Sequence, residues 1–435
     1  MARLPKLGLV ALVFVVALGA FALLSRAEDS SSRGAGSEGT GDTRALAGDT
    51  QGQIEDLQDQ VRAAPEEASG YSALGDAYLQ RARETGDAGL YLQAEGAFDQ
   101  ALRRDPEDLA ATVGVGTLAL ARHDFRAGLR LGRRARALAP TTVRPFAVVV
   151  DSQIELGQYE KAERSLQQMV DRKPNLDSYS RISYFRELEG DLPGAIEAMR
   201  LAVSAGGGTP ENEAYVQTLL GDLELEGANV AGATEAYRGA LAKVPGHPPA
   251  QAGLAKVDIA AGRLERAQRR LRSVSDRLPL PIYVIPLAEV ELALGRQERA
   301  AEDLEIVRVQ RRLLEDAGTR ADVDLVLFEA DHGSARRAVR LGRGVLADAP
   351  SVRSEDALGW AYTRAGQPAR GLALARRALR RGSVDPSFHY HAGMAARQTG
   401  DLPLARRELR EALSLNPAFS PLHAQRARRA LKAMA

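Results

Sequence analysis

Pro106, Pro140 and Pro174 stand 34 residues apart, and Pro245 and Pro279 repeat the interval. A fixed period of this length means one supersecondary unit used many times, because each unit buries its apolar face only against its neighbours. Every one of these prolines follows a helical pattern and precedes the next one. Proline belongs there, since it cannot continue a helix but fits a loop or a first turn. With 435 residues the chain is too long for one ordinary core. A repeated unit, not a single globule, therefore organises it.

The pattern inside the period is that of a helix pair. Tyr71, Leu74, Gly75 and Tyr78 lie at i, i+3, i+4 and i+7, one helical face, and Ala94, Phe98 and Ala101 form the face of a second helix before Asp105-Pro106. The turn between helices recurs as Gly157-Gln158-Tyr159-Glu160-Lys161-Ala162 and as Gly262-Arg263-Leu264-Glu265-Arg266-Ala267, with further copies at Gly295–Ala300, Gly366–Gly371 and Gly400–Ala405. Gly75, Gly116, Gly221, Gly359 and Gly393 fall where two antiparallel helices should cross closely. Ala162, Ala195, Ala233, Ala267 and Ala405 are placed to face such positions, where a larger side chain would hold the helices apart.

A large residue, Leu-Gly, Tyr, Ala, an aromatic, Ala and a closing Pro in this order resemble the tetratricopeptide repeat. The resemblance implies an all-α fold, a right-handed α-solenoid of about ten helix-turn-helix units. The units start near Ser69, Asp108, Thr142, Asn175, Glu211, Pro248, Pro281, Arg320, Val352 and Asp385. The first carries an insertion near Arg81–Leu92. The seventh has Pro286 inside its first helix and runs into a long charged helix, Glu302 to Asp316, and the stretch Ala321–Asp331 matches least well. Residues 53–64 read as a lone helix over the first repeat, and 421–435 as the polar closing helix that a solenoid needs. The domain organisation is thus 1–26 an N-terminal anchor or signal, 27–52 a linker, and 53–435 the solenoid with its capping helix.

Arg3 and Lys6 precede an uncharged run from Leu7 to Leu24. As a helix this run spans about 27 Å, close to the ~30 Å hydrocarbon core of a bilayer. It exceeds the apolar stretch of a cleaved signal peptide, although Ala20-Phe21-Ala22 has the form of a cleavage site. The expectation is a single-pass cell-membrane segment with the solenoid outside the cytoplasm, or a secreted chain after cleavage. Residues 27–52 are Ser, Gly, Asp, Glu and Thr with almost no large apolar side chain, a composition that cannot offset the entropy of ordering.

The chemistry open to the chain is narrow. Cysteine is absent, which excludes disulfides, thiolate catalysis and Cys-ligated zinc. There is no P-loop, no GxGxxG after a strand, no HExxH and no GxSxG, so no enzyme, cofactor or metal is expected. Gly206-Gly207-Gly208 follows a helix pattern and reads as a turn between repeats. His389 and His391 point apart on a helix and cannot share a metal. His123 and His332 fall near inter-helix turns, where exposure accounts for them. The carboxylates read as solvated surface. Net charge is +1, yet residues 333–435 hold 19 Lys+Arg against 7 Asp+Glu.

The family resemblance places a partner groove along the first helices. Flanking positions near the C-terminus are Arg353, Asp356, Trp360, Arg364, Tyr390, Met394 and Arg397, of the types enriched at interfaces. Asp151, Glu155, Tyr184 and Glu187 form a more acidic stretch. The carboxylate clamp of some relatives has no counterpart, because Ser72, Val113, Ala147, Ser180, Thr218, Ala252 and Ile285 occupy the matching places. The function expected is a membrane-anchored, extracytoplasmic scaffold for proteins or peptides in assembly of an envelope or secreted complex. The alternatives are an apoprotein-presenting helper like those of cytochrome c maturation, and a binder of anionic polymer or lipid through the basic C-terminal repeats. Nucleic acid is not an expected partner, since stacking aromatics are few.

Overall fold

The computed structural model describes residues 50–207, 209–316 and 318–434. Among these the chain is all helix. A first helix, α1 (Thr50–Ala63), lies on the array and is followed by ten helix pairs. They are α2 (Ala68–Thr85) with α3 (Gly89–Arg104), α4 (Leu109–Ala121) with α5 (Phe125–Leu138), and α6 (Arg144–Glu155) with α7 (Tyr159–Arg172). Next come α8 (Leu176–Leu188) with α9 (Leu192–Ala205), α10 (Pro210–Glu226) with α11 (Val230–Lys243), and α12 (Pro248–Ala260) with α13 (Leu264–Arg277). Then follow α14 (Pro281–Ala293) with α15 (Gln297–Asp316), α16 (Val323–His332) with α17 (Ala335–Asp348), α18 (Val352–Arg364) with α19 (Pro368–Ala378), and α20 (Pro386–Thr399) with α21 (Leu402–Leu415). A last helix, α22 (His423–Ala433), closes the end.

Local signals set these bounds. Asp108, Asp124, Asp191, Asn229, Ser334 and Asp401 each cap a helix by accepting a backbone N–H from three residues on. The small-residue register holds at the crossings: a Cβ on Gly221 would lie 2.5 Å from the Tyr237 ring, and one on Gly393 would lie 2.7 Å from Leu409 Cγ. Pro286 is accommodated within α14. α1 starts at Thr50, so the last residues of the expected linker are helical. The insertion of the first repeat lengthens α2 to 18 residues and carries Gly86 onto Leu280, far along the chain.

That long-range contact recurs with a regular spacing. The Arg320 guanidinium reaches Asp124 at 2.6 Å, the Val352 N–H donates to Tyr159 Oη at 2.9 Å, Arg381 pairs with Glu189, and Asn416 Nδ2 donates to Leu225 O at 3.3 Å. The separations are 196, 193, 192 and 191 residues. The array therefore coils back after between five and six repeats, and its second turn rests directly on its first.

First helices of successive pairs also pack on one another, as α2 on α4, α4 on α6, and α16 on α18 and so on to α20. They form an inner layer and the second helices an outer one. The single-pass membrane segment expected from the N-terminal run is corrected here: no helix among the described residues is long and apolar enough to cross a membrane. The run Leu7–Leu24 itself, with most of the expected linker, lies outside the described residues.

Candidate functional site: a closed inner layer and a basic outer layer

Two of the inner helices, α6 and α18, are buried well beyond one amphipathic stripe. In α6 all residues from Pro145 to Glu155 are buried, and in α18 ten of thirteen are. An amphipathic helix on an open concave groove would keep one face wet. Here neighbouring repeats pack along α6, through Asp151 with Arg181 for example, and the second turn meets its C-terminal end, where Arg353 approaches Glu155.

Carboxylates follow the helices inward, against the expectation that they are solvated. Asp151 and Arg181 are fully buried and form a two-pronged pair, Nε to Oδ1 at 2.9 Å and Nη2 to Oδ2 at 3.0 Å. Arg181 Nη1 also donates to Asp177 O at 3.1 Å. Burial pushes the Asp151 carboxyl up to about 6, with Arg181 opposing. Next to it the Tyr184 hydroxyl donates to Glu155 at 3.3 Å, and burial raises Glu155 while Arg353, from the second turn, opposes. Burial also raises Glu187 and Glu226, and Asp222 and Asp385 push both further in the same direction. This acidic inner region is the stretch that Asp151, Glu155, Tyr184 and Glu187 mark in the sequence.

The seven predicted groove residues divide. Asp356, Trp360 and Tyr390 are buried to 2 % exposure or less. They join a core in which Trp360 stacks on His391 at 4.5 Å, Tyr390 stacks on His423 at 4.6 Å, and His391 Nδ1 meets Asp356 Oδ2 at 2.8 Å. Trp360 Nε1 donates to Asp331 Oδ1 at 3.1 Å. The cluster ties α16, α18 and α20 to the closing helix α22, so these side chains hold the end of the array together. Met394 is half-buried against the same core. Arg364 is exposed and donates through Nε to Ala330 O at 3.0 Å. Arg397 is exposed, and Arg353 turns into the acidic inner region. His123 and His332, expected in solvent, are buried and half-buried respectively: His123 Nδ1 lies 3.2 Å from Arg320 O, and His332 Nε2 lies 3.2 Å from Glu289.

The charge asymmetry along the sequence is in three dimensions a radial one. The ten inner helices carry 9 Lys+Arg and 19 Asp+Glu, whereas the ten outer helices carry 32 and 18. Outside the C-terminal repeats two outer helices carry five arginines each: α5, which has no acidic residue, and α13, whose sequence LERAQRRLRSVSDR holds Arg266, Arg269, Arg270, Arg272 and Arg277. Sequence reasoning passed over it because the surrounding segment is nearly neutral. The helix-by-helix tally was the available signal.

Comparison with known proteins agrees with the repeat. Residues 79–141 and 357–420 match one tetratricopeptide repeat model, and residues 225–285 match a second. Among curated proteins none matches this sequence. Similar solved structures include a chain of the APC/C hetero-tetramer Cut9–Hcn1, 16 % identical, covering 87 % of this chain and 81 % of that one with a TM-score of 0.40. The human IFIT1 dimer with m7Gppp-AAAA is 16 % identical, with 84 % and 77 % covered and a TM-score of 0.39. A tetratricopeptide repeat protein from Parabacteroides merdae is 15 % identical, with 62 % and 99 % covered and a TM-score of 0.33. The three matched stretches, one towards each end of the described chain and one at its middle, are tetratricopeptide repeats.

Proposed function

We propose that this chain is a non-catalytic scaffold that holds protein partners on its outer surface and ends, not along its axis. The observation that carries this reading is the burial of α6 from Pro145 to Glu155, which leaves that inner helix no wet face to offer. Repeats of this kind expose large areas of rigid helix without a reacting group, and rigid area is what a scaffold needs. The outer layer supplies it, with an excess of arginine, a residue enriched at interfaces.

Site-specific photo-crosslinking in cells tests the reading. A photoreactive residue at Arg343 on α17 or at Arg130 on α5 should yield protein adducts, and one at Glu187 or Glu226 should yield none. Adducts confined to the inner positions would overturn it.

A further inference from the structure

We infer that the arginine groove along α13 is a docking site for an acidic segment of a partner protein. It rests on the reading that partners engage the outer surface, and it names one place and one chemistry on that surface.

The groove runs between α13 and the start of α12. Arg266, Arg269, Arg270 and Arg277 line it together with Gln251 and Ser273, and it measures about 630 Å³. A second open hollow, about 500 Å³, flanks the other side of α13 and shares Arg269, Ser273 and Arg277. These three residues are spaced by four, so they form one straight ridge along the helix. Asp276 lines the second hollow and is absent from the first.

The arginines are held, not merely present. Asp258 on α12, itself buried, receives two of them, Arg266 at 3.3 Å and Arg270 at 2.9 Å, and also Arg263 just before the helix at 2.9 Å. Arg270 also donates to Gln251 at 3.4 Å. Arg277 donates to Ser273 O at 3.3 Å and to Gly246 O at 3.4 Å. One carboxylate thus fixes three guanidinium groups and neutralises one. Arg269 has no ion-pair or hydrogen-bond partner among the described residues. The remaining N–H donors stand in a pre-arranged row, which is the form in which arginine binds carboxylates two-pronged at low entropic cost.

Charge complementarity selects the occupant. A row of guanidinium groups in a shallow, open-ended groove fits successive Asp or Glu side chains on an extended or helical segment. The groove has no aromatic ring on which a nucleic-acid base would stack. None of the exposed large apolar side chains lies on α13, so the face lacks the wedge that a membrane-binding helix inserts.

Fluorescence anisotropy of a labelled Glu-rich peptide with the full chain tests the assignment. The peptide should bind saturably and more weakly as salt rises. Binding should fall about tenfold or more in the Arg269→Gln/Arg277→Gln variant and stay unchanged in an Arg370→Gln/Arg376→Gln control on α19. Arg269→Gln alone removes no bond among the described residues, so its smaller loss should be free of folding effects, which melting curves of all variants check. Equal binding by wild type and the α13 variant would overturn the proposal. So would equal binding of a Gln-rich peptide, or tighter binding of phosphatidylserine vesicles or single-stranded oligonucleotide through the same arginines. Inner-only crosslinks alongside α13-dependent peptide binding would defeat the outer-surface scaffold and leave the groove. Outer crosslinks without peptide binding would do the reverse.

Discussion

Arg181 and Arg269 are the same side chain on helices of the same array, in opposite circumstances. Arg181, on inner α8, is fully buried and spends its donors on Asp151 and Asp177. Arg269, on outer α13, is exposed and has no partner among the described residues. The inner layer uses charge to fasten one turn and one repeat to the next, and the outer layer presents some charge, such as that of Arg269, that no other described residue pairs with. On the proposed reading, fold and function are divided between layers of one repeat.

Removing the two arginines is the strongest way to break this comparison. Arg181→Ala leaves Asp151 buried and unpaired and should cost about 3–5 kcal/mol. Arg269→Ala should stay within about 0.5 kcal/mol, as surface changes do. Urea denaturation of both variants gives the numbers. Near-equal losses would mean that water reaches Asp151 and that the inner layer is open.

The seam between the two turns comes next in size. Gly190 has φ +79°, and a Cβ there would collide with the carbonyl oxygen of Gly382 in the second turn. Gly366 has φ +75° with nothing within 4 Å of its would-be Cβ. Gly366→Ala should cost about 1 kcal/mol, the left-handed backbone penalty alone. Gly190→Val adds the collision and should cost about 2–4 kcal/mol in total. Because only the seam resists that side chain, small-angle scattering should also show a larger radius of gyration for Gly190→Val and none for Gly366→Ala. A more costly but equally compact Gly190→Val would place the strain within the repeat and not across the turns.

The fold was readable to the level of single crossings, because the pressures that shape a repeat are local. Proline spacing, caps such as Asp108 and Asp401, and the Gly393–Leu409 approach each act within about 35 residues. The closure of the superhelix was not readable. Contacts such as Tyr159 with Val352 arise from small rotations summed over five repeats, and no residue type announces the sum. The site inherits this divide. Trp360 and Tyr390 have the composition of an interface, but packing within the second turn and against α22 buries them, and contact with Arg320 of the second turn buries His123. The arginines of α13 were in plain view, though their excess shows only when outer helices are counted apart from inner ones.

The smallest effect sharpens the comparison from the inner side. Glu226 is half-buried, and burial raises its pKa first, followed by Glu187, Asp385 and Asp222, with Lys256 opposing. Lys256 is mostly committed elsewhere, with Nζ 2.7 Å from Asp222 Oδ1. A carboxyl whose folded pKa is raised holds a proton that the unfolded chain releases, so stability falls as pH rises above the ordinary glutamate value of about 4.3. Gln at this position titrates in neither state. Glu226→Gln should therefore melt a few degrees above the parent near pH 8 and together with it near pH 4. The outer layer offers the matching control: Glu265→Gln, on exposed α13, should change stability by no more than about 0.5 kcal/mol, as surface changes do. If Glu226→Gln behaves like Glu265→Gln, the acidic inner region is as wet as the outer surface, and the division between the layers is one of sequence only.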